Sequence, residues 1–302
     1  MIPQEHNNEL LALISKHAVR DGLTQTKIPG VSLFRSSVMD VPVPYFYNQC
    51  LCIIVQGEKE VMLDNEIYRY MPSQYLTVSV DLPLMYRITK ASRAKPALLM
   101  KIDIDLKLLS ELLLHTNLNV GETPTTKRGI FVGEFDKPMH DSVLRLARLM
   151  NSPADIPALA TQTMREVLYR ALCNDYGDVI AQIARKGSRM ESIANAIRKL
   201  KKDFRQTITV EELAEVAHMS VSSFHSHFKS VTAMSPLQFQ KSLRLIEARS
   251  IMISQDIDVA NAAFWVGYQS PSQFSREYAR KFGRPPARDV SIIRQQQSET
   301  EQ

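Results

Sequence analysis

The sequence predicts an α+β protein: a small β-barrel or sandwich with attendant helices, followed by an all-α domain that carries two helix-turn-helix units. Three observations predict it. Short β-rich runs separated by turn residues fill residues 30–104, helical periodicity takes over from Asp105, and one supersecondary unit occurs twice between Thr209 and Gly283. The expected division is 1–187 and 188–302. The helix-turn-helix units fall at about 209–229 and 258–282, and a linker helix lies at about 235–254.

In chain order, residues 5–20 form an amphipathic helix pattern with Leu10, Leu11, Leu13, Ile14 and Val19. After Pro29-Gly30 the expected strands are Val31–Phe34, Cys50–Gln56, Lys59–Leu63, Ile67–Tyr70, Tyr75–Val80, Leu84–Ile88 and Leu98–Ile104. Gly57, Asp64-Asn65, Met71-Pro72-Ser73 and Leu82-Pro83 punctuate them. Short strands at this spacing suit a barrel or sandwich. Helices are expected over Leu106–Leu114, Asp136–Met150 and Ile156–Cys173, with the basic, glycine-containing Arg185–Arg189 as the linker.

In the repeated unit, Ala214 aligns with Ala263, His218 with Gly267, Ser220 with Ser270, Phe224 with Phe274 and Phe228 with Tyr278. Thr209-Val210-Glu211-Glu212 is a capping box, and Ser235-Pro236 and Ser270-Pro271 each place a capping serine before a proline at the first helical position. Gly267 and His218 occupy turn positions where positive φ is expected. Opposite the buried Phe224 and Phe228 stand Ser222, Ser226 and Lys229, flanked by His225. Opposite Phe274 and Tyr278 stand Ser272 and Arg276, flanked by Gln273. Short hydrogen-bonding side chains plus cations suit base edges and phosphates of a major groove; a solvated helix face is the competing reading. A rod of twenty residues, ~30 Å long, would hold two such helices near the ~34 Å separation of successive grooves.

Residues 190–290 resemble the DNA-binding domain of the AraC/XylS transcription regulators. Its signature elements stand here as Met219-Ser220, Phe228-Lys229, Met234-Ser235-Pro236, Leu243-Arg244-Leu245, Val266-Gly267-Tyr268, Gln273-Phe274-Ser275-Arg276 and Lys281-Phe282-Gly283. The resemblance implies double-stranded DNA as partner, with Ser222, His225, Ser226, Ser272, Gln273 and Arg276 reading bases. Ser220, Lys229, Ser270 and Lys281 are expected on phosphates. Ala233 stands where the family usually has glycine, Ser226 where it often has arginine, and Trp265 is bulkier than the usual occupant.

A second resemblance covers about residues 25–115. Cys52–Gly57, Tyr68-Arg69-Tyr70, Gln74-Tyr75-Leu76 and Val78–Pro83 are similar to the cupin-like N-terminal domain of one subgroup of the same regulators. It implies a double-stranded β-barrel that senses a small-molecule effector, followed by helices available for a homodimer. The family leans towards activation, often through contact with RNA polymerase.

Composition excludes little. Net charge is +5, and Lys+Arg against Asp+Glu is 22 to 20 in residues 1–189 and 15 to 12 in 190–302, so the motif carries the nucleic-acid argument. No apolar run reaches the ~20 residues of a membrane span, the start lacks signal-peptide regions, and three cysteines form no disulfide framework; a cytoplasmic protein is expected. Residues 30–104 contain no histidine, so no metal is expected there, nor any other cofactor. His225 and His227 are two apart on a helix and diverge, so they do not share a metal. Cys50 and Cys52 share a strand face and admit two readings, a thiol sensor or small apolar packing residues. With Tyr68 and Tyr70 they are the candidate effector residues, and Tyr45, Tyr47, Tyr75 and Tyr86 line a pocket or fill the core. The leading expectation is an effector-responsive transcription regulator and not an enzyme. The alternatives are a metal-independent cupin-type enzyme with a helical appendage, and an architectural DNA-binding protein without effector.

Overall fold

A computed structural model describes residues 4–115 and 128–300. The chain opens with α1 (Gln4–His17), followed by β1 (Gly22–Gln25), β2 (Val31–Ser36), β3 (Val43–Tyr47), β4 (Cys50–Gln56), β5 (Glu58–Leu63), β6 (Glu66–Tyr70), β7 (Gln74–Val78), β8 (Leu82–Lys90) and β9 (Ala97–Asp103). Then come α2 (Leu106–His115), β10 (Ile130–Glu134), α3 (Lys137–Arg148), α4 (Ile156–Leu172), α5 (Gly177–Ala184) and α6 (Arg189–Asp203). The repeated units are α7 (Val210–Val216) with α8 (Val221–Thr232), and α10 (Val259–Trp265) with α11 (Pro271–Phe282). Between them runs α9 (Pro236–Ser254), and α12 (Pro286–Thr300) follows.

The β part is two antiparallel sheets, β1-β2-β9-β4-β7-β10 and β3-β8-β5-β6. Of the two forms expected, the sandwich is observed rather than a barrel with a closed ladder. The ladders stop at β1, β10, β3 and β6, strands of four or five residues, and Pro44 in β3 has no N–H to offer a further neighbour. The strands β1, β3 and β10 and the helices α5, α6 and α12 were not among the expected elements. Residues from Cys50 to Val55 are all buried, because α1 packs on the outer face of β4 while its inner face meets the second sheet.

One hydrophobic core runs from Leu10 through both sheets and the helices that follow to Phe228 and Phe239, so the first helix-turn-helix unit shares it. A second core, from Leu245 to Val290, belongs to the second unit. Contacts among the described residues join the β part to α6, α8 and α9. Helix α9 packs on β3 and β8, with Phe239 edge-on to Phe46 at 6.4 Å. Lys201 on α6 pairs with Asp81 at 2.8 Å. Arg128 and Gly129 reach the end of α8. Among the described residues no helix is long and apolar enough to cross a membrane.

Candidate nucleic-acid interface and inter-sheet site

The first unit begins where its cap says. Thr209 Oγ1 accepts from the Glu212 N–H at 3.2 Å, and the Glu212 carboxylate accepts from the Thr209 N–H at 3.1 Å. His218 turns the chain at φ 53°, and Ser220 caps α8. Leu213, Ala214, Ala217, Phe224 and Phe228 are buried, which leaves Ser222, His225, Ser226 and Lys229 exposed on the opposite face, beside the exposed cap Ser220.

The second unit repeats this construction. Asp258 caps α10, a cap the sequence reading did not single out, and Ser270 caps α11. Gly267 sits at φ 89°, and a Cβ there would lie 2.1 Å from the Arg205 carbonyl oxygen, so the turn admits only glycine. Phe274 and Tyr278 are buried; Ser272, Gln273 and Arg276 are exposed, and Ser270 is half-buried. Tyr278 donates to the Asp289 carboxylate at 2.8 Å, and Arg249 from α9 donates to the same oxygen at 2.8 Å, which fixes α11 to α9 and α12. Glu277 receives hydrogen bonds from Lys241, Tyr268 and Gln273. Burial works to raise its carboxyl pKa, and these donors overcome it, leaving the pKa lowered.

The Ser235 capping box opens α9, whose 19 residues span ~28 Å. Lys281 differs from the other expected phosphate contacts. Its ammonium donates to Ser242 Oγ at 3.0 Å, and burial lowers its pKa. His225 is exposed, whereas His227 is half-buried with its pKa lowered by burial and by Arg189, so the two rings occupy different surroundings. Trp265 packs near Phe204 under the Arg205 guanidinium, 3.3 Å from its ring centroid, and so meets the junction before α7. Arg244 was visible only as part of a signature. It donates to the carbonyls of Phe204, Arg205, Gln206 and Gly267 and ties that junction to the second turn.

Arg128 was not anticipated. Its Nη1 donates to the carbonyls of Lys229 (2.9 Å) and Ser230 (2.5 Å), while Nε and Nη2 hold the Glu66 carboxylate at 2.5–3.0 Å. The Gly129 N–H bonds to the Val231 carbonyl at 3.0 Å. The last carbonyls of a helix run short of partners within it; here the Lys229 carbonyl also accepts from the Ala233 N–H at 2.9 Å, while Arg128 and Gly129 supply those of Ser230 and Val231, with a cation at the negative end of the dipole. A cleft of about 530 Å³ is lined by Arg128, Ser226, Lys229 and Ser230.

Between the sheets, strand register sorts the tyrosines. Tyr45, Tyr47, Tyr68, Tyr70 and Tyr86 share the inward face of the four-stranded sheet with Lys59. Tyr75 lies on the helix side and bonds to Asn174 at 2.9 Å. Tyr68 donates to Glu66 at 2.7 Å. Cys50 and Cys52 are buried with their sulfurs 3.7 Å apart. Their mutual hydrogen bond, then burial, pushes Cys50 up; the same bond holds Cys52 lowered against its own burial. Among the described residues, no three His, Cys, Asp or Glu side chains gather as a metal site.

Residues 27–179 match the family described as the AraC-type transcriptional regulator N-terminus, and residues 213–289 match a helix-turn-helix domain. The RCS-specific HTH-type transcriptional activator RclR of Escherichia coli is 38% identical over 29% of this chain and 31% of its own. The HTH-type transcriptional activator RhaS of Citrobacter koseri is 29% identical over 45% of this chain and 47% of its own. The chain thus spans less than half the length of these relatives. Vibrio cholerae ToxT with an unsaturated fatty acid bound superposes with a TM-score of 0.58 at 13% identity, over 86% of this chain and 94% of that one, a likeness of fold.

Proposed function

The chain belongs to the AraC-type transcriptional regulators, and we propose that it binds specific double-stranded DNA through α8 and α11 in response to a small molecule sensed by its β-sandwich. The observation that carries this is the pair of exposed polar faces, Ser222/His225/Ser226 and Ser272/Gln273/Arg276, each opposite a buried aromatic pair and joined through one capped helix. These six side chains read base edges. Lys229 and the caps at Ser220 and Ser270 contact phosphates, and Lys281 joins them on leaving Ser242.

Residues 1–187 form the sensing and dimerisation part, and residues 188–302 the DNA-binding part. ToxT carries a fatty acid in a solved structure, which supports a ligand for the sandwich. The candidate effector residues are Cys50, Cys52, Tyr68 and Tyr70. Tyr68 stands three hydrogen bonds from α8, through Glu66 and Arg128, a connection by which the sandwich bears on a recognition helix. Exposed Leu114 on α2 and Leu159 on α4 support a homodimer contact. The relatives are named as transcriptional activators, which supports activation as the mode of regulation; contact with RNA polymerase in the cytoplasm belongs to the same proposal.

The test is binding of the full-length protein to its own upstream region and to random DNA of equal length, across a salt series. A preference for the native fragment that persists as salt rises supports specific recognition. Equal, salt-sensitive binding to both argues against it.

A further inference from the structure

We propose that Lys59 and Tyr70 form the acid-binding end of an effector site between the two sheets. It takes the carboxylate of a small organic acid whose apolar body lies against Phe34, Tyr47 and Tyr86. The proposal rests on the effector reading above and gives its ligand class.

Two observations carry it. Lys59 is only 6% exposed, and no carboxylate of a described residue lies within 4 Å of its ammonium. The ammonium instead lies 4.3, 5.2 and 5.6 Å from the ring centroids of Tyr86, Phe34 and Tyr47. Ring faces attract a cation but carry no net charge, so they offset only part of the cost of burying it. Burial accordingly lowers the Lys59 pKa, and Asp40, the carboxylate that acts on it electrostatically, is itself raised by burial. An entering carboxylate would bring the missing charge.

Independently, the Tyr70 hydroxyl is buried with no hydrogen-bond partner among the described residues, an arrangement a buried phenol ordinarily avoids. Lys59 and Tyr70 are direct partners in the β5–β6 ladder, so their side chains stand side by side on the inward face. Both groups are donors. One carboxylate, with two acceptor oxygens, satisfies both; a primary amide offers a single oxygen and no charge. The half-buried Phe34 and Tyr86 mark the side of entry. There the segment between β2 and β3 bonds to β8 through the Asp40 N–H and exposes Val38, Met39 and Val41.

The experiment compares thermal unfolding of the full-length protein with matched acids and amides: benzoate with benzamide, cinnamate with cinnamamide, hexanoate with hexanamide. At least one acid is expected to raise the wild-type Tm while its amide does not. Lys59→Met should abolish the shift. Tyr70→Phe, which removes one oxygen, should weaken the acid about tenfold and keeps the test available if Lys59→Met does not fold. The assignment is overturned by equal shifts from acid and amide, by a wild-type response in Lys59→Met or Tyr70→Phe, or by no shift with any acid. It is also overturned by a 240 nm thiolate absorbance that vanishes in Lys59→Met, which would make Cys52 the partner of the ammonium. DNA binding measured in parallel separates the two levels. A Lys59-dependent acid that leaves DNA affinity unchanged defeats the regulatory reading alone, and an acid that alters DNA affinity equally in wild type and Lys59→Met defeats the anchor alone.

Discussion

Replacing Arg128 by alanine removes two of the three hydrogen bonds that close the end of α8 from the β part, and leaves the Gly129 N–H on the Val231 carbonyl. Its two hydrogen bonds to the Lys229 and Ser230 carbonyls are charge-assisted, a class that contributes about 1.5–3 kcal/mol each when sheltered from water. The Arg128 and Glu66 side chains are 35% and 40% exposed, so solvent screening reduces the ion pair to about 0–1 kcal/mol and each carbonyl bond to about 1 kcal/mol. Arg128→Ala is therefore expected to destabilise the full-length protein by about 2 kcal/mol in urea unfolding followed by far-UV circular dichroism. Glu66→Gln, which spares the carbonyl bonds, should cost less than about 1 kcal/mol. Arg128→Lys should recover at most half of the loss, since one ammonium does not span both carbonyls and Glu66. A loss below about 0.5 kcal/mol for Arg128→Ala, within the range of an ordinary surface substitution, would refute the reasoning.

The remaining expectations concern the repeated units. Ala233 ends α8 at φ 59°, a conformation costing a non-glycine residue about 1–2 kcal/mol; glycine's larger unfolded-state entropy returns about 0.4–1, so Ala233→Gly should stabilise by about 0.5–1 kcal/mol in the same unfolding assay. Glu277 has a lowered folded-state pKa, so its contribution is complete above the unfolded value near ~4.3 and is lost as pH falls through the folded one. The stability gap between wild type and Glu277→Gln should therefore narrow on acidification from about pH 5, and a pH-independent gap would contradict this. On DNA, Arg276→Ala should cost about 1–3 kcal/mol and relax specificity at one base pair, read by competition with single-base variants of the site. Lys229→Ala should weaken all sequences alike and reduce the salt slope by ~1.

The repeated units were legible because their signals are local. A cap acts on the N–H two or three residues ahead, a turn glycine acts at its own φ, and Phe224/Phe228 and Phe274/Tyr278 mark a buried face within one turn of helix. The central strands β4, β5, β7 and β9 were legible for the same reason, each being a continuous apolar or alternating run. The strands that escaped notice, β1, β3 and β10, all lie at sheet edges. An edge strand is short, is paired on one side and tolerates a residue such as Pro44, so its sequence carries little pattern. Lys59 and Arg128 escaped for another reason. A lone cation has no periodicity; only the β5–β6 register turns Lys59 inward, and only the packing of α8 beside Gly129 brings Arg128 to carbonyls about a hundred residues away.

The central claim is that α8 and α11 read DNA together, held at a fixed spacing by α9. It is tested most directly by methylation-interference footprinting of the full-length protein on its own upstream region. Interference in two successive major grooves on one face, centred about 10 bp apart, is expected, with Arg276→Ala relaxing one groove and His225→Ala the other. Interference confined to a single groove, or a pattern that neither substitution alters, would contradict it.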